Sequence, residues 1–191
     1  MAMDGEVQDV KVPFLYAISL FTAIWLICRL CIWIRHRTID WRREAILLLM
    51  YINLAVIIRF VFFPLGRING KIQPLIFSAS NIFPFKIILI PFVGMFDYLT
   101  KQIMLVNVLG NIAMFIPTGI ILPIISRKLD CFGKVVAVGA LISLCIEVLQ
   151  LLFSERTTDI NDLILNTIGT AIGFVIFILT KKAIKRKSAQ K

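Results

Sequence analysis

Two apolar runs near the middle of the chain decide the fold: residues 104–125 read MLVNVLGNIAMFIPTGIILPII, and residues 134–153 read KVVAVGALISLCIEVLQLLF. Each run is about 20 residues long, the length that an α-helix needs to cross the hydrocarbon core of a bilayer. Both runs nevertheless contain polar side chains, among them Asn107, Asn111, Glu147 and Gln150. A charge at mid-bilayer costs about 2.5–3.5 kcal/mol, so such residues are usually kept for a partner or a pocket.

The composition of the whole chain excludes a soluble globular protein. Of 191 residues, 59% are hydrophobic and 17% are charged, with a mean hydropathy of +0.91. A soluble domain is closer to half apolar and a quarter charged. Lipid offers no partners to backbone groups, so each spanning run is predicted to be a helix. The five predicted spans are Pro13–Ile34, Ala45–Phe63, Met104–Ile125, Lys134–Phe153 and Leu163–Thr180.

A sixth apolar run, Ile87–Phe96, is broken by Pro91 and Gly94. It is too short to span, and we expect an interfacial or re-entrant segment. The predicted fold class is therefore all-α: a polytopic membrane helix bundle of about five transmembrane helices plus this short segment. We divide the chain into an N-terminal helix with a basic loop (1–44), a transmembrane domain (45–181) and a basic tail (182–191).

Positively charged residues predict the orientation, because lysine and arginine are concentrated in cytoplasmic loops. With five spans, thirteen of them fall on one side: Arg35, Arg37, Arg42, Arg43, Arg127, Lys128, Lys134, Lys181, Lys182, Lys185, Arg186, Lys187 and Lys191. Six fall on the other: Lys11, Arg67, Lys71, Lys86, Lys101 and Arg156. This bias, with the acidic start of Asp4, Glu6 and Asp9, predicts that the N-terminus is outside and the C-terminus is in the cytoplasm.

The same bias explains the net charge of +10, because basic residues beside the spans are attracted to anionic lipid headgroups. We therefore expect membrane lipids as partners and no binding of nucleic acid. Cys28 and Cys31 lie inside the first span, where a C-x-x-C pair is interpreted as small apolar filling. His36, the one histidine, lies in a basic loop, which argues against a zinc site or a histidine-based triad. We predict no metal and no cofactor.

Two arginines lie within spans. Arg29 is close to the cytoplasmic end of the first span, where we expect its side chain to extend to the headgroups. Arg59 lies near the outer end of the second span, where it can extend outward or pair with a carboxylate. A pair between Arg59 and Glu147 is the specific prediction.

Helix direction places eight polar residues at one depth, near the outer leaflet. In a bundle they would line a shared pocket, and they form the predicted ligand-binding set: Arg59, Asn107, Asn111, Glu147, Gln150, Asp159, Asp162 and Asn166. No catalytic residue can be assigned among them. Asp159 has two open interpretations, a helix cap or a functional carboxylate.

The fifth span carries a regular stripe. Asp162, Asn166, Gly169 and Gly173 step by four, three and four residues and so share one helix face. Gly169 and Gly173 form a small-xxx-small pair that allows another helix to approach closely. The fourth span, which carries Glu147, is the expected neighbour.

The order and spacing of the polar, glycine and proline residues resemble those of the VanZ-like family over roughly Tyr51 to Lys181. The resemblance rests on these positions: Asn107, Gly110, Asn111, Phe115, Pro117, Gly119, Leu122, Pro123, Ser143, Glu147, Gln150, Asp159, Asp162, Asn166, Gly169 and Gly173, with Asn81–Phe85 upstream. It implies a bacterial polytopic membrane protein of the cell envelope, located in the cytoplasmic membrane. The family takes its name from a member that gives low-level teicoplanin resistance, and it implies no assigned cofactor or reaction.

Two functional hypotheses follow. In the first, the pocket binds a lipid-linked cell-wall precursor or a lipoglycopeptide, with the carboxylates orienting or repelling the head and the segment Gly66–Gln102 acting as a lid. In the alternative, an intramembrane enzyme uses Glu147, Asp159 and Asp162 on a lipid-linked phosphate or acyl group, by holding Mg²⁺ or by supplying a general base.

Overall fold

The computed structural model describes residues 10–63, 67–68, 70–77, 86–92, 101–153 and 156–189. The helices are α1 (Phe14–His36), α2 (Trp41–Ile57), α3 (Lys101–Ile125), α4 (Phe132–Gln150) and α5 (Ile160–Ala189), and α2 continues as a π-helical turn, Ile58–Phe62. All five are long and apolar enough to cross a membrane, which confirms the predicted all-α membrane bundle. The predicted acidic start and the Asn81–Phe85 element lie outside the described residues, as do residues 93–96 of the short apolar run.

Among the described residues, six short strands pair in three two-stranded ladders. They are β1 (Val10–Val12), β2 (Arg67–Ile68), β3 (Lys71–Ile72), β4 (Leu75–Phe77), β5 (Ile87–Ile88) and β6 (Thr158–Asp159). The pairs β1–β4 and β2–β3 are antiparallel, and β5–β6 is parallel. The start of the short apolar run is thus a strand beside the segment that leads into α5. Phe92 continues this contact, because its backbone N–H donates to Asn161 Oδ1 at 2.7 Å.

Helix α1 packs antiparallel to α2 and lies at the edge of the bundle, with no buried residue of its own. The Thr22 hydroxyl contacts the Tyr51 hydroxyl at 2.7 Å. Near the other end of the pair, Arg29 Nε donates to Glu44 Oε2 at 2.9 Å, and Arg29 Nη2 donates to Glu44 Oε1. The sequence did not predict this partner for Arg29, which comes from the first turn of the adjacent helix.

Helices α3 and α5 run parallel and in close contact. A Cβ atom on Gly169 would lie 2.2 Å from Ile112 O, and one on Gly173 would lie 2.1 Å from Ile116 O. Gly119 makes the reciprocal approach from α3. Gly169 and Gly173 do form a close-packing face, as predicted. The helix that approaches it is α3, however, and not α4.

Helix α4 packs antiparallel to α5 on an adjoining face. A Cβ on Gly139 would lie within 2.7 Å of three side-chain atoms of Thr170, and Asn166 Nδ2 donates to Ser143 Oγ at 2.9 Å. The fifth helix therefore contacts two neighbours, and both contacts use small or polar side chains. This is the pattern expected where lipid gives no hydrophobic drive for helix association.

The alternating helix directions create two distinct ends. We call one the polar end; it holds the last turns of α2 and α4 and the first turns of α3 and α5. The opposite, basic end holds the loops that precede α2 and α4 and the last turns of α5, which carry most of the predicted cytoplasmic charges. A buried cluster of Ile57, Phe63, Leu75, Phe115 and Ile146 lies below the polar end. Helix α5 spans 30 residues, so its basic residues after position 181 continue the helix to Ala189.

Candidate functional site

A cavity of about 360 Å³ opens at the polar end, and we call it the polar pocket. It is lined by Phe60, Val61, Ile88, Asn107, Asn111, Gln150, Arg156, Thr157, Asp159 and Asp162. Five of the eight predicted ligand-binding residues are in this lining: Asn107, Asn111, Gln150, Asp159 and Asp162. The other three, Arg59, Glu147 and Asn166, lie elsewhere, and each has an identifiable structural contact.

Asp162 links the two closely packed helices at the floor of the polar pocket. It lies in the first turn of α5, and its Oδ1 accepts a hydrogen bond from Asn111 Nδ2 of α3 at 2.5 Å. The positive end of the helix dipole favours a carboxylate at this position. The bond between Asn111 and Asp162 holds both side chains in one wall of the pocket. The second carboxylate oxygen of Asp162 accepts no hydrogen bond from the described part of the chain.

Asp159 immediately precedes α5 and acts as its cap. Its Oδ1 accepts from the backbone N–H of Asn161 at 2.8 Å, which satisfies one of the unpaired donors of the first helical turn. Its side chain also lines the polar pocket. Both interpretations of Asp159 that the sequence left open are thus compatible with one position.

Glu147 anchors the segment that leads into α5. It is 2% exposed, and its Oε2 accepts from the backbone N–H of Asp159 at 3.0 Å. Its backbone carbonyl accepts from the Thr158 hydroxyl at 2.8 Å. Its second oxygen, Oε1, has no hydrogen-bond partner among the described residues. Glu147 lies behind the wall of the pocket and holds Asp159 in place.

Gln150 and Asn166 place amide groups at two depths. Gln150 is 4% exposed and lines the polar pocket, and its Nε2 donates to Val61 O at 3.3 Å. Asn166 lies one turn deeper than Asp162 and bonds Ser143 on α4. Gln150 Oε1 and Asn166 Oδ1 have no partner in the part of the chain that the structure describes. Buried polar atoms are nearly always hydrogen-bonded, so these acceptors are notable features of the site.

Arg59 does not contact Glu147, so the predicted pair is wrong. Arg59 Nη1 donates to Phe63 O at 3.2 Å, and its guanidinium lies over the rings of Phe14 and Phe60 at 5.7 and 5.6 Å. Glu147 instead bonds the backbone of Asp159. The carbonyl at the end of the π-helical turn and the aromatic rings are closer partners for the guanidinium than the carboxylate.

We expect Arg59→Gln and Glu147→Gln to change the free energy of unfolding additively, because the two side chains have different partners. Substitutions without shared contacts add to within about 0.3–0.5 kcal/mol. The two single variants and the double variant should be unfolded by SDS titration in mixed micelles. A coupling energy above about 0.5 kcal/mol would show that the side chains interact.

Arg156 and Thr157 are pocket residues that the sequence did not reveal. Arg156 was counted only as a charge outside the spans, but its Nε donates to Phe62 O at 2.8 Å and its Nη2 contacts the same oxygen. No local motif marks this role, because the acceptor is a carbonyl at the end of the π-helical turn. Another unforeseen bond lies deeper, where Asn53 Nδ2 donates to Thr118 Oγ1 at 2.8 Å.

Two apolar cavities adjoin the polar pocket in turn along the seam between α2 and α3, and together we call them the apolar groove. The first, about 270 Å³, is lined by Val56, Phe60, Val106, Asn107, Gly110, Asn111, Ala113 and Met114. The second, about 420 Å³, is lined by Leu49, Ile52, Asn53, Val56, Ala113, Met114, Pro117 and Ile121. The first shares Phe60, Asn107 and Asn111 with the polar pocket, and the second shares Val56, Ala113 and Met114 with the first.

Comparison with known proteins assigns the chain to a family. The family model described as VanZ/LLP1 matches residues 46–181, more than two thirds of the chain. The chain belongs to the VanZ/LLP1 family. A curated relative, Protein VanZ from Enterococcus faecium, is 29% identical over 117 residues, which cover 61% of this chain and 68% of the relative. No solved structure matches the chain.

The VanZ/LLP1 match begins in α2 and ends in α5, so α1 lies outside it. Every residue of the polar pocket and of the apolar groove falls inside the matched region. Family membership and five apolar helices together indicate a multi-pass membrane protein. The site thus belongs to the part of the molecule that this VanZ/LLP1 protein shares with its family.

Proposed function

We propose that this protein binds an amphiphilic molecule of the bacterial cell envelope, with the polar head in the polar pocket and an alkyl chain in the apolar groove. The ligand is a lipid-linked cell-wall precursor or a lipoglycopeptide. Teicoplanin, which carries an acyl chain, is the lipoglycopeptide that the family name suggests, and binding it or the precursor would contribute to teicoplanin resistance.

The observation that carries this proposal is that the polar pocket and the apolar groove adjoin. The polar pocket and the first part of the apolar groove share Phe60, Asn107 and Asn111. A single molecule with a polar head and one chain can therefore occupy both. In a bilayer, moving a chain from lipid into a groove has little hydrophobic drive, because lipid tails are equally apolar. The head must then supply most of the selectivity, and the groove sets the depth and direction of the chain.

We place the polar end at the outer face of the cytoplasmic membrane. Support comes from the basic end, where the two loops and the last turns of α5 carry most of the lysine and arginine residues. A pocket at the outer leaflet is accessible to precursors after their export and to antibiotics from outside. The ladder between β5 and β6 lies at this end, so residues 86–92 of the proposed lid are beside the polar pocket.

The alternative function, an intramembrane enzyme that uses three carboxylates, has less support than ligand binding. Glu147 uses one carboxylate oxygen to hold the backbone of Asp159 and is not in the pocket lining, whereas Asp159 and Asp162 are. No group of three His, Cys, Asp or Glu side chains among the described residues is arranged to hold a metal ion. Glu147 is better explained as an anchor than as a reacting group.

The proposal is tested by teicoplanin susceptibility in a glycopeptide-sensitive Gram-positive host. The host would express the native chain, Asp162→Asn or Asp130→Asn at equal membrane levels. Asparagine keeps the size of the side chain and an oxygen that can accept from Asn111, but it removes the charge from the polar pocket. Asp130 is the matched control, because it is an exposed carboxylate at the basic end, paired with Lys134 at 2.8 Å.

We expect the native chain and Asp130→Asn to raise the inhibitory concentration at least about fourfold, and Asp162→Asn to lose most of the increase. Equal protection by all three proteins would separate resistance from the polar pocket. No protection by any of them would remove teicoplanin as the ligand and leave envelope precursors to be tested by direct binding.

A further inference from the structure

The lining of the polar pocket contains more acidic than basic side chains. It contains two carboxylates, Asp159 and Asp162, and one guanidinium, Arg156. Arg156 directs both Nε and Nη2 at Phe62 O. The carboxylates are three residues apart, at the cap and in the first turn of α5, so they lie on neighbouring positions of one helix end. An anionic head group would therefore enter a pocket that already holds an excess of negative charge.

Two of the three side-chain amides that line the pocket each use an N–H group on the protein itself. Asn111 Nδ2 donates to Asp162 Oδ1, and Gln150 Nε2 donates to Val61 O. Each of these bonds also fixes the direction of the amide, so that the carbonyl oxygen of Gln150 is turned away from Val61. The donors that line the pocket are thus partly occupied before a ligand arrives.

Several hydrogen-bond acceptors in and behind the pocket, in contrast, have no donor among the described residues. Gln150 lines the pocket, and its buried Oε1 has no hydrogen-bond partner among the described residues. Asp159 and Asp162 each bond the described part of the chain through Oδ1, which leaves Oδ2 of both to a ligand. Behind them, Glu147 Oε1 is a further buried acceptor without a partner in the same part of the chain.

We infer that the polar pocket recognises its ligand through a primary ammonium group held by Asp159, Asp162 and Gln150, and that it disfavours a head whose only polar group is a phosphate. The inference rests on the proposed function and narrows its ligand class to amphiphiles with an amine in the head. An ammonium has three N–H donors and no acceptor, so it matches two carboxylate oxygens and one amide oxygen. Hydrogen bonds between ionised partners are also about twice as strong as neutral ones.

Three probes with the same chain separate charge from shape: dodecylamine, dodecanol and dodecyl phosphate. The full chain in dodecylmaltoside micelles would be titrated with each probe, and bound complexes would be counted by native mass spectrometry. The protein carries a net charge of +10, so non-specific attraction favours the phosphate and works against the expected result. The variant is Asp159→Asn with Asp162→Asn, in which asparagine keeps the capping ability of residue 159. The control is again Asp130→Asn.

We expect dodecylamine to bind at least about tenfold more tightly than dodecyl phosphate, and the double variant to lose this preference while the control keeps it. Equal binding of dodecylamine and dodecanol would overturn the ammonium inference and leave amphiphile binding intact. Binding of none of the three probes would contradict the proposed function itself. A preference for dodecylamine that survives in the double variant would assign the amine to another surface and overturn the inference.

Discussion

Replacing Gly173 with valine is expected to lower the free energy of unfolding by about 3 kcal/mol, because it forces α5 away from α3. The backbones of the two helices touch at this position. A Cβ on Gly173 would lie 2.1 Å from Ile116 O and 3.0 Å from the Cα of Gly119, and neither atom belongs to a flexible side chain. The helices must therefore separate, and every contact along their seam is weakened.

The same contact is made three times, which makes relief by a small local shift difficult. A Cβ on Gly119 would lie 2.0 Å from Thr170 O, and one on Gly169 would lie 2.2 Å from Ile112 O. Separating the helices at Gly173 would also stretch the bond between Asn111 and Asp162 at the pocket floor. We therefore expect Gly173→Val to reduce ligand binding as well as stability.

The measurement is SDS-induced unfolding of the purified protein in mixed micelles, with Gly133→Val as the matched control. Gly133 lies in the first turn of α4, and a Cβ there would meet no atom within 4 Å. The control removes a helical glycine and adds the same side chain, so it isolates the close approach of the backbones. Similar unfolding curves for the two variants would contradict the described packing of α3 against α5.

Replacing Gly110 with phenylalanine is expected to reduce amphiphile binding at least about tenfold without unfolding the bundle. Gly110 lines the apolar groove beside Asn107 and Asn111, and a Cβ there would meet no atom within 4 Å. The added ring would fill the space that we assign to the first part of the chain. Glycine is less favourable than alanine in a helix interior by roughly 0.5–1 kcal/mol, and phenylalanine lies between the two, so helix stability should not fall.

Dodecylamine binding measures this effect, and Gly133→Phe is the control because it adds the same ring at the basic end in open space. Reduced binding by Gly110→Phe alone would support the groove as the chain site. If both variants bind as the native chain does, the chain lies elsewhere, and the polar pocket would have to act without the groove.

The sequence predicts the helices well, because the length of an apolar run and the thickness of a bilayer determine each span directly. It also brings Asn107, Asn111, Asp159 and Asp162 to one level, because helix direction and residue number fix their depth. The lining of the polar pocket contains all four, whereas Arg59, Glu147 and Asn166, predicted at the same depth, lie outside it. Depth and number of spans are therefore accessible without a structure.

The sequence does not predict which residues of different helices contact each other. The small-xxx-small pair Gly169 and Gly173 predicts close packing but does not say which helix approaches, and α3 rather than α4 does so. Arg59 and Glu147 lie at similar depth, yet each bonds a backbone group whose position depends on the folded chain. Arg156 was missed for the same reason, because its partner is the carbonyl of Phe62.

Photo-crosslinking tests most directly whether one amphiphile occupies the polar pocket and the apolar groove together. Dodecyl probes with ammonium or hydroxyl heads and a diazirine near the chain end would be irradiated with the full chain, and labelled residues would be identified by mass spectrometry. We predict that label concentrates on Val56, Ala113 and Met114, where the two parts of the groove meet, and that Gly110→Phe removes it. Label spread over the lipid-facing surfaces of all five helices in proportion to their exposure, and unchanged by Gly110→Phe, would contradict the account.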